Sequence, residues 1–86
     1  MFDIKFTQLA IEDLQVFQKA EQQWIVSHLE SQLSVDAVLE TEDRRRLHPS
    51  GPVEWEIRLG KVRVFYDVDL QSGTVKIEAV GKKFFI

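Results

Sequence analysis

The first residues of the chain alternate between apolar and polar side chains. In the segment FDIKF, Phe2, Ile4 and Phe6 alternate with Asp3 and Lys5. A period of two residues is typical of a strand that buries one face. The chain therefore opens with a short predicted β-strand.

Two helices are predicted after this strand. Thr7 is a suitable N-cap for the first helix, in which Leu9, Leu14 and Phe17 fall on one stripe. A second helical pattern lies in KAEQQWIVSHLESQL. Its inward positions recur at helical spacing and are Trp24, Ile25, His28, Leu29, Gln32 and Leu33. We expect an antiparallel helix pair packed on a sheet.

The last third of the chain predicts three strands, at about 53–59, 62–70 and 74–82. Residues 35–52 before them are predicted to continue the helix briefly and then to form a loop, because they end in a cluster of proline and glycine. Gly60-Lys61 suits a type II′ hairpin turn with glycine first, and Ser72-Gly73 suits a second tight turn.

This order of elements predicts an α+β fold in a single domain, residues 1–86. The domain has an N-terminal strand, an antiparallel helix pair on one face of the sheet and a three-stranded antiparallel meander.

The hairpin also predicts which side chains share a face of the sheet. With Gly60-Lys61 as its loop, Arg58 pairs with Arg63, and alternation sorts the remaining positions. The core face then carries Trp55, Ile57, Leu59, Val62, Val64, Tyr66 and Val68. The opposite face carries Glu56, Arg58, Arg63, Phe65 and Asp67.

The third strand completes the second face as a basic strip. If Leu70 pairs with Val75, Lys82 lies beside Arg63. In that register the core face gains Val75, Ile77 and Ala79.

Two arginines that face each other across a strand pair repel, by roughly 0.2 to 1 kcal/mol. An anion between them relieves the repulsion, and the planar guanidinium fork matches phosphate oxygens. The alternative is that Glu56 or Asp67 neutralises the arginines and the strip is an ordinary solvated face.

Charge is divided unevenly along the chain, although the net charge is only -3. Residues 1–43 carry nine acidic and two basic side chains, whereas residues 44–86 carry nine basic and five acidic ones. The second half therefore suits an anionic partner. With no cysteine and two isolated histidines, the sequence predicts no metal site, and we expect no cofactor. No signal peptide or membrane-spanning run is recognised, so we expect a cytoplasmic protein without a membrane partner.

The run RRLHPSGPVEWEIRLGKVRVFYDVDLQSGTVKIEAVGKK resembles the C-terminal half of the RelE/ParE toxin superfamily of bacterial type II toxin-antitoxin systems. FTQLAIEDLQVF is similar to the first helix of that family. The resemblance implies a RelE-like fold and a cognate antitoxin that forms a hetero-oligomer with the chain. For the RNase branch it also implies ribosome-dependent cleavage of mRNA in the A-site codon, by attack of the 2′-hydroxyl without a metal.

The resemblance also assigns residue roles. It implies that Arg63 stabilises charge on the scissile phosphate, with Arg58 and Lys83 as further phosphate ligands. Glu56 stands where RNase members often carry a lysine; it is either a general base for the 2′-hydroxyl or a salt-bridge partner. The motif favours Lys83 where the register favours Lys82, and a bulge near Gly81 would reconcile the two.

Further candidates for RNA contacts are Arg44, Arg45, Arg46, Lys61, Lys82 and His48. For the three consecutive arginines, local ion pairing with the preceding Glu40, Glu42 and Asp43 is an equal alternative. His48 is also a candidate acid or base toward a substrate, and its alternative is plain polar surface. The alternative function is a non-catalytic member of the superfamily, either a ParE-like gyrase inhibitor or an inactive relative that binds its antitoxin.

Overall fold

The computed structural model describes residues 1–47, 51 and 53–82 of the chain. Its elements in chain order are β1 (Asp3–Phe6), α1 (Gln8–Leu14), α2 (Lys19–Leu33), β2 (Arg44–Arg46), β3 (Trp55–Leu59), β4 (Val62–Asp69) and β5 (Thr74–Lys82). The strands form one sheet in the order β1-β5-β4-β3-β2. β1 runs parallel to β5, and the other pairs are antiparallel. The predicted α+β class is confirmed.

Local sequence fixes where the helices begin. The Thr7 hydroxyl accepts a 3.1 Å hydrogen bond from the Ala10 amide and so caps α1, as predicted. At the start of α2, the Gln18 amide donates a 3.2 Å hydrogen bond to the Glu21 carboxylate. The predicted stripes are each partly wrong, because Leu9 and Trp24 are exposed.

One hydrophobic core lies between the two helices and one face of the sheet. The helices contribute Ala10, Leu14, Ile25, Leu29 and Leu33, and Phe17 is buried between them. The sheet contributes Trp55, Ile57, Leu59, Val62, Val64, Tyr66, Val75, Ile77 and Val80. The sheet face that points away from this core is called the open face below.

The predicted register of the β3-β4 hairpin is confirmed at every pair from Trp55↔Tyr66 to Leu59↔Val62. Gly60 has φ +63°, and no described residue other than glycine has a positive φ. A positive φ at the first turn residue alone agrees with the predicted type II′ turn. Arg58 and Arg63 therefore lie directly opposite each other.

The sequence prediction missed β2. Residues 44–46 were expected in a loop, but they pair with β3 and place Arg45 opposite Glu56. The pairing is continued by hydrogen bonds from the Arg58 amide to the Asp43 carbonyl and from the Leu47 amide to the Glu54 carbonyl, both 2.7 Å. Three consecutive arginines show no alternation of hydrophobicity, so the periodicity that identifies a strand is absent here.

The predicted register between β4 and β5 is wrong. Lys82 pairs with Val62, and Arg63 faces Gly81. The register shifts at Glu78, because Phe65 pairs with Ala79 while Tyr66 pairs with Ile77. Since one extra residue moves the following side chains to the other face, Val80 is buried where Ala79 was expected to be, and Lys82 does not lie beside Arg63.

The connection between β4 and β5 is also longer than the predicted two-residue turn. It spans residues 70–73, and its last residue, Gly73, has φ +67°. The Asp69 carboxylate accepts hydrogen bonds from the amides of Gln71 and Ser72, at 3.0 and 3.3 Å. These bonds, the one from Ser72 first, lower the pKa of Asp69.

Candidate anion-binding site

Three guanidinium groups surround one carboxylate on the open face of the sheet. Arg45 Nε donates a 3.0 Å hydrogen bond to Glu56 Oε1, and Arg58 Nε lies 3.7 Å from the same oxygen. Arg63 Nε lies 3.0 Å from the other oxygen, Oε2. We call this group of Arg45, Arg58 and Arg63 around Glu56 the arginine cluster.

The strand pairing explains why the arginine cluster forms. Side chains directly opposite each other in an antiparallel pair lie on the same face, with Cβ atoms about 4.5 to 5.5 Å apart. Arg45 faces Glu56 across β2 and β3, and Arg58 faces Arg63 across β3 and β4. Glu56 and Arg58 are two residues apart on one strand and so share the open face.

Glu56 is the buried member of the arginine cluster. Its side chain is 2% exposed, whereas those of Arg45, Arg58 and Arg63 are 54%, 37% and 34% exposed. An isolated buried carboxylate is strongly disfavoured, and here guanidinium groups on two sides compensate for the lost water. The contacts of Glu56 with the three arginines leave the cluster with three positive charges and one negative charge. A role of Glu56 as general base stays a prediction.

The arginines approach Glu56 through Nε. Arg63 Nε is buried, and although it lies close to the carboxylate it is not aligned for a hydrogen bond with any described residue. Among the ranges 1–47 and 53–82, no residue accepts a hydrogen bond from the terminal amino groups of the three arginines. Those groups are the part of a guanidinium that grips phosphate oxygens in a fork.

Space for an anion lies beside Arg63. Gly81 faces Arg63 on β5, and a Cβ atom added at this glycine would meet no atom of the described residues within 4 Å. The absence of a side chain at this position leaves the β5 side of the arginine cluster open.

Arg44 has a different environment from Arg45. It faces Ile57 on the core side of β2 and is 6% exposed. Its Nη1 donates a 3.3 Å hydrogen bond to the Leu39 carbonyl and lies 3.7 Å from the Asp36 carboxylate. The structure thus places Arg44 away from the arginine cluster. Its acidic partner is Asp36, and not one of Glu40, Glu42 and Asp43, which were the expected partners.

Tyr66 is buried next to this ion pair. Its hydroxyl donates a 2.8 Å hydrogen bond to the Ala37 carbonyl, which ties residues after α2 to the sheet. Burial raises the pKa of Tyr66 far above its ordinary value, against a smaller opposite effect of Arg44.

The remaining predicted basic residues are not brought to the arginine cluster. Arg46 is exposed and faces Trp55, a core-side position. Lys61 is exposed in the β3-β4 turn. Lys82 lies on the helix side, with Nζ 5.3 Å from the centre of the Phe17 ring. Lys83 and His48 lie outside the described residues.

Farther from the hairpin turn, the open face becomes acidic. A hydrogen bond with the Asp67 side chain raises the pKa of Glu78, while Lys76 has a smaller opposite effect. Asp67 also accepts a 2.8 Å hydrogen bond from the Glu54 amide. Sequence reasoning placed Asp67 on this face but did not name Glu78, although Glu78 alternates with Ile77 and Ala79, which were expected on the core face.

The residues that the structure describes contain no group of three or more potential ligands arranged to hold a metal ion. None of their helices has the length and apolar character needed to cross a membrane.

Comparison with known proteins finds matches for the fold of this chain but not for its sequence. No family model matches the chain, and no curated protein matches it either. Solved structures do match. The RelBE2 toxin-antitoxin complex of Mycobacterium tuberculosis superposes with a TM-score of 0.82 at 22% identity, over 95% of this chain and 98% of that one.

Two other structures agree with this match. The archaeal RelE-RelB complex of Pyrococcus horikoshii gives a TM-score of 0.72 at 22% identity, over 99% of this chain and 98% of that one. The isolated E. coli RelE toxin gives 0.77 at 16% identity, over 100% of this chain and 88% of that one. The protein therefore has a RelE-like toxin fold.

Proposed function

We propose that this protein is the toxin of a type II toxin-antitoxin system and cleaves mRNA in the A-site codon of the ribosome. The observation that supports this most directly is the arginine cluster on the open face of a RelE-like fold. The cluster is positively charged overall, and its terminal amino groups donate no hydrogen bond to the described residues.

In the proposed reaction, the 2′-hydroxyl of one nucleotide attacks the adjacent phosphorus. The new O-P bond forms as the bond to the 5′-oxygen of the next nucleotide breaks, giving a 2′,3′-cyclic phosphate and a 5′-hydroxyl. The proton of the 2′-hydroxyl leaves to a base, and the 5′-oxygen gains a proton. Negative charge on the phosphate grows in the transition state, and preorganised cations stabilise it most at that point.

Within this reaction Arg63 and Arg58 contact the scissile phosphate. Their opposed positions allow both guanidiniums to reach oxygens of one phosphate. Arg45 binds the same phosphate or the neighbouring one. Lys83 as a third ligand and His48 as an acid or base stay predictions.

The partners follow from the same proposal. The RelBE2 structure that shares the fold is a toxin-antitoxin complex, and the archaeal one is a RelE-RelB complex. We infer a cognate antitoxin that binds this chain in a hetero-oligomer and shields the arginine cluster with acidic side chains. The ribosome and its mRNA are the targets of the free toxin.

The decisive experiment adds purified protein to ribosomes programmed with a defined mRNA. Wild-type protein should cut within the A-site codon, and Arg63→Ala should abolish the cut. Lys19→Ala removes one positive charge from an exposed residue at the start of α2 and should cut normally. Intact mRNA with wild-type protein would overturn the proposal.

One observation favours a second candidate, a non-catalytic protein with this fold. Glu56 already occupies the centre of the arginine cluster and neutralises one of its three charges. Such a protein would be a gyrase inhibitor or an inactive relative that binds an antitoxin. Growth arrest with DNA-damage signalling and intact mRNA would identify the first, and normal growth on overexpression the second.

A further inference from the structure

We propose that Glu56 is a positioning residue, which holds the guanidiniums of Arg45 and Arg63 in place and does not accept the proton of the 2′-hydroxyl. The effect on cleavage rests on the proposed function. The effect on the arginines does not, because it concerns the structure of the free protein.

The geometry shows how one carboxylate orders three strands. Glu56 stands on β3, and its two oxygens lie 3.0 Å from arginines on opposite sides, Arg45 of β2 and Arg63 of β4. Arg58, on β3 itself, lies 3.7 Å from the oxygen that also contacts Arg45. Each oxygen therefore has a close cationic partner.

Burial argues against a role of Glu56 as general base. A general base must come within hydrogen-bond reach of the proton that it removes. The Glu56 side chain is 2% exposed, while each arginine around it is at least 34% exposed. RNA that approaches the open face meets the guanidiniums first, and the carboxylate lies beneath them.

The same arrangement explains why a cation site would contain an acid. Without Glu56, three like charges would repel one another, and long arginine side chains would lose their fixed orientation. A carboxylate below the arginines holds them through Nε and leaves the terminal amino groups for phosphate. Cations that are already oriented stabilise a transition state without reorganising during the reaction.

The test without substrate uses the Nε-H signals of the arginines in NMR spectra of the free protein. Replacing each arginine of the cluster by lysine, one at a time, assigns the signals. In Glu56→Gln we expect the Arg45 and Arg63 signals to shift and their hydrogens to exchange roughly tenfold faster, which corresponds to the loss of a charge-assisted contact. Glu42→Gln, which removes an exposed acid, should leave both signals unchanged.

Glu56→Asp separates loss of position from loss of folding. The aspartate keeps the charge but is one methylene shorter. It should therefore preserve the fold and protect the Nε hydrogens of Arg45 and Arg63 from exchange only in part. Unchanged signals and exchange rates in Glu56→Gln and Glu56→Asp would overturn the proposal.

The second test measures single-turnover cleavage on ribosomes against pH. Misplaced arginines should lower the rate in Glu56→Gln by about 10²-fold, while the shape of the pH profile stays that of wild type. A profile that loses its acidic limb in this variant would identify Glu56 as the base and overturn the proposal. If wild-type protein cuts no mRNA, the proposed function fails, and the exchange measurement still decides the role of Glu56.

Discussion

Arg45 on the edge strand β2 lies directly opposite Glu56 on β3, and its Nε donates a 3.0 Å hydrogen bond to the Glu56 carboxylate. This pair joins the short edge strand to the centre of the sheet and buries an acid beneath arginines. The opposed pair Arg58 and Arg63 gains the same carboxylate as a counter-ion, while both side chains stay partly exposed.

Arg45→Ala should lower the free energy of unfolding by about 1 kcal/mol. The variant removes a charge-assisted hydrogen bond to a buried carboxylate, but Arg45 itself is 54% exposed, so water screens much of the interaction. Urea unfolding measures the change. Arg46→Ala removes the neighbouring exposed arginine and should change stability much less; equal effects of the two variants would show that the Arg45-Glu56 pair is not special.

The hairpin was predictable from sequence, whereas the partner strand was not. Alternation on both sides of Gly60-Lys61 left one register, and it placed Arg58 opposite Arg63 correctly. β2 has no such signal, since it consists of three arginines whose strand conformation depends on pairing with β3. The contact of Arg45 with Glu56 could therefore not be predicted from the sequence, although Arg45 itself was a candidate for RNA contacts.

The β4-β5 register failed for a different reason. The pattern from Val75 onward fits a regular strand until Ala79 and Val80, where burying the larger side chain requires an extra residue. A bulge was expected near Gly81 but lies at Glu78. The four-residue connection pairs Asp69 with Thr74, and the one extra residue at Glu78 then brings Gly81, not Lys82, opposite Arg63. Sequence periodicity alone locates neither the length of the connection nor the bulge.

Gly60→Ala should lower the free energy of unfolding by about 1 to 2 kcal/mol. No atom of the described residues lies within 4 Å of a Cβ atom at this position, so the effect comes from the backbone, whose φ of +63° is unfavourable for a side-chain-bearing residue. Gly60→Asn should be milder, because asparagine tolerates this conformation better than alanine does. Chemical denaturation of both variants measures whether Gly60→Ala loses more stability than Gly60→Asn. An alanine variant as stable as wild type would contradict the prediction.

Tyr66 should resist ionisation in the folded protein. It is the only tyrosine of the chain, so absorbance near 295 nm reports on it alone. Because burial raises its folded pKa, the unfolded chain releases the proton first, at a pH near 10. Stability is therefore independent of this group below about pH 10 and falls above it, by up to about 1.4 kcal/mol per pH unit.

The tyrosine titration has two controls. In denaturant the same absorbance should rise near pH 10. In Tyr66→Phe the loss of stability attributed to this ionisation should disappear, while the variant is less stable at pH 7 because the Ala37 carbonyl loses its 2.8 Å hydrogen bond. A rise near pH 10 in the folded wild-type protein would contradict the assignment.

Gly81→Glu should lower cleavage on programmed ribosomes by roughly tenfold or more, because it places a carboxylate opposite Arg63 and weakens the cation available to the transition state. Gly81 is not in a positive-φ conformation, and the space around its missing Cβ is open, so the fold should tolerate the change. Gly81→Gln introduces a side chain of nearly the same size as glutamate without the charge, and it should cleave clearly better than Gly81→Glu. If both variants cleave like wild type, the phosphate does not bind on the β5 side of Arg63; if both lose activity equally, the space itself matters and the charge does not.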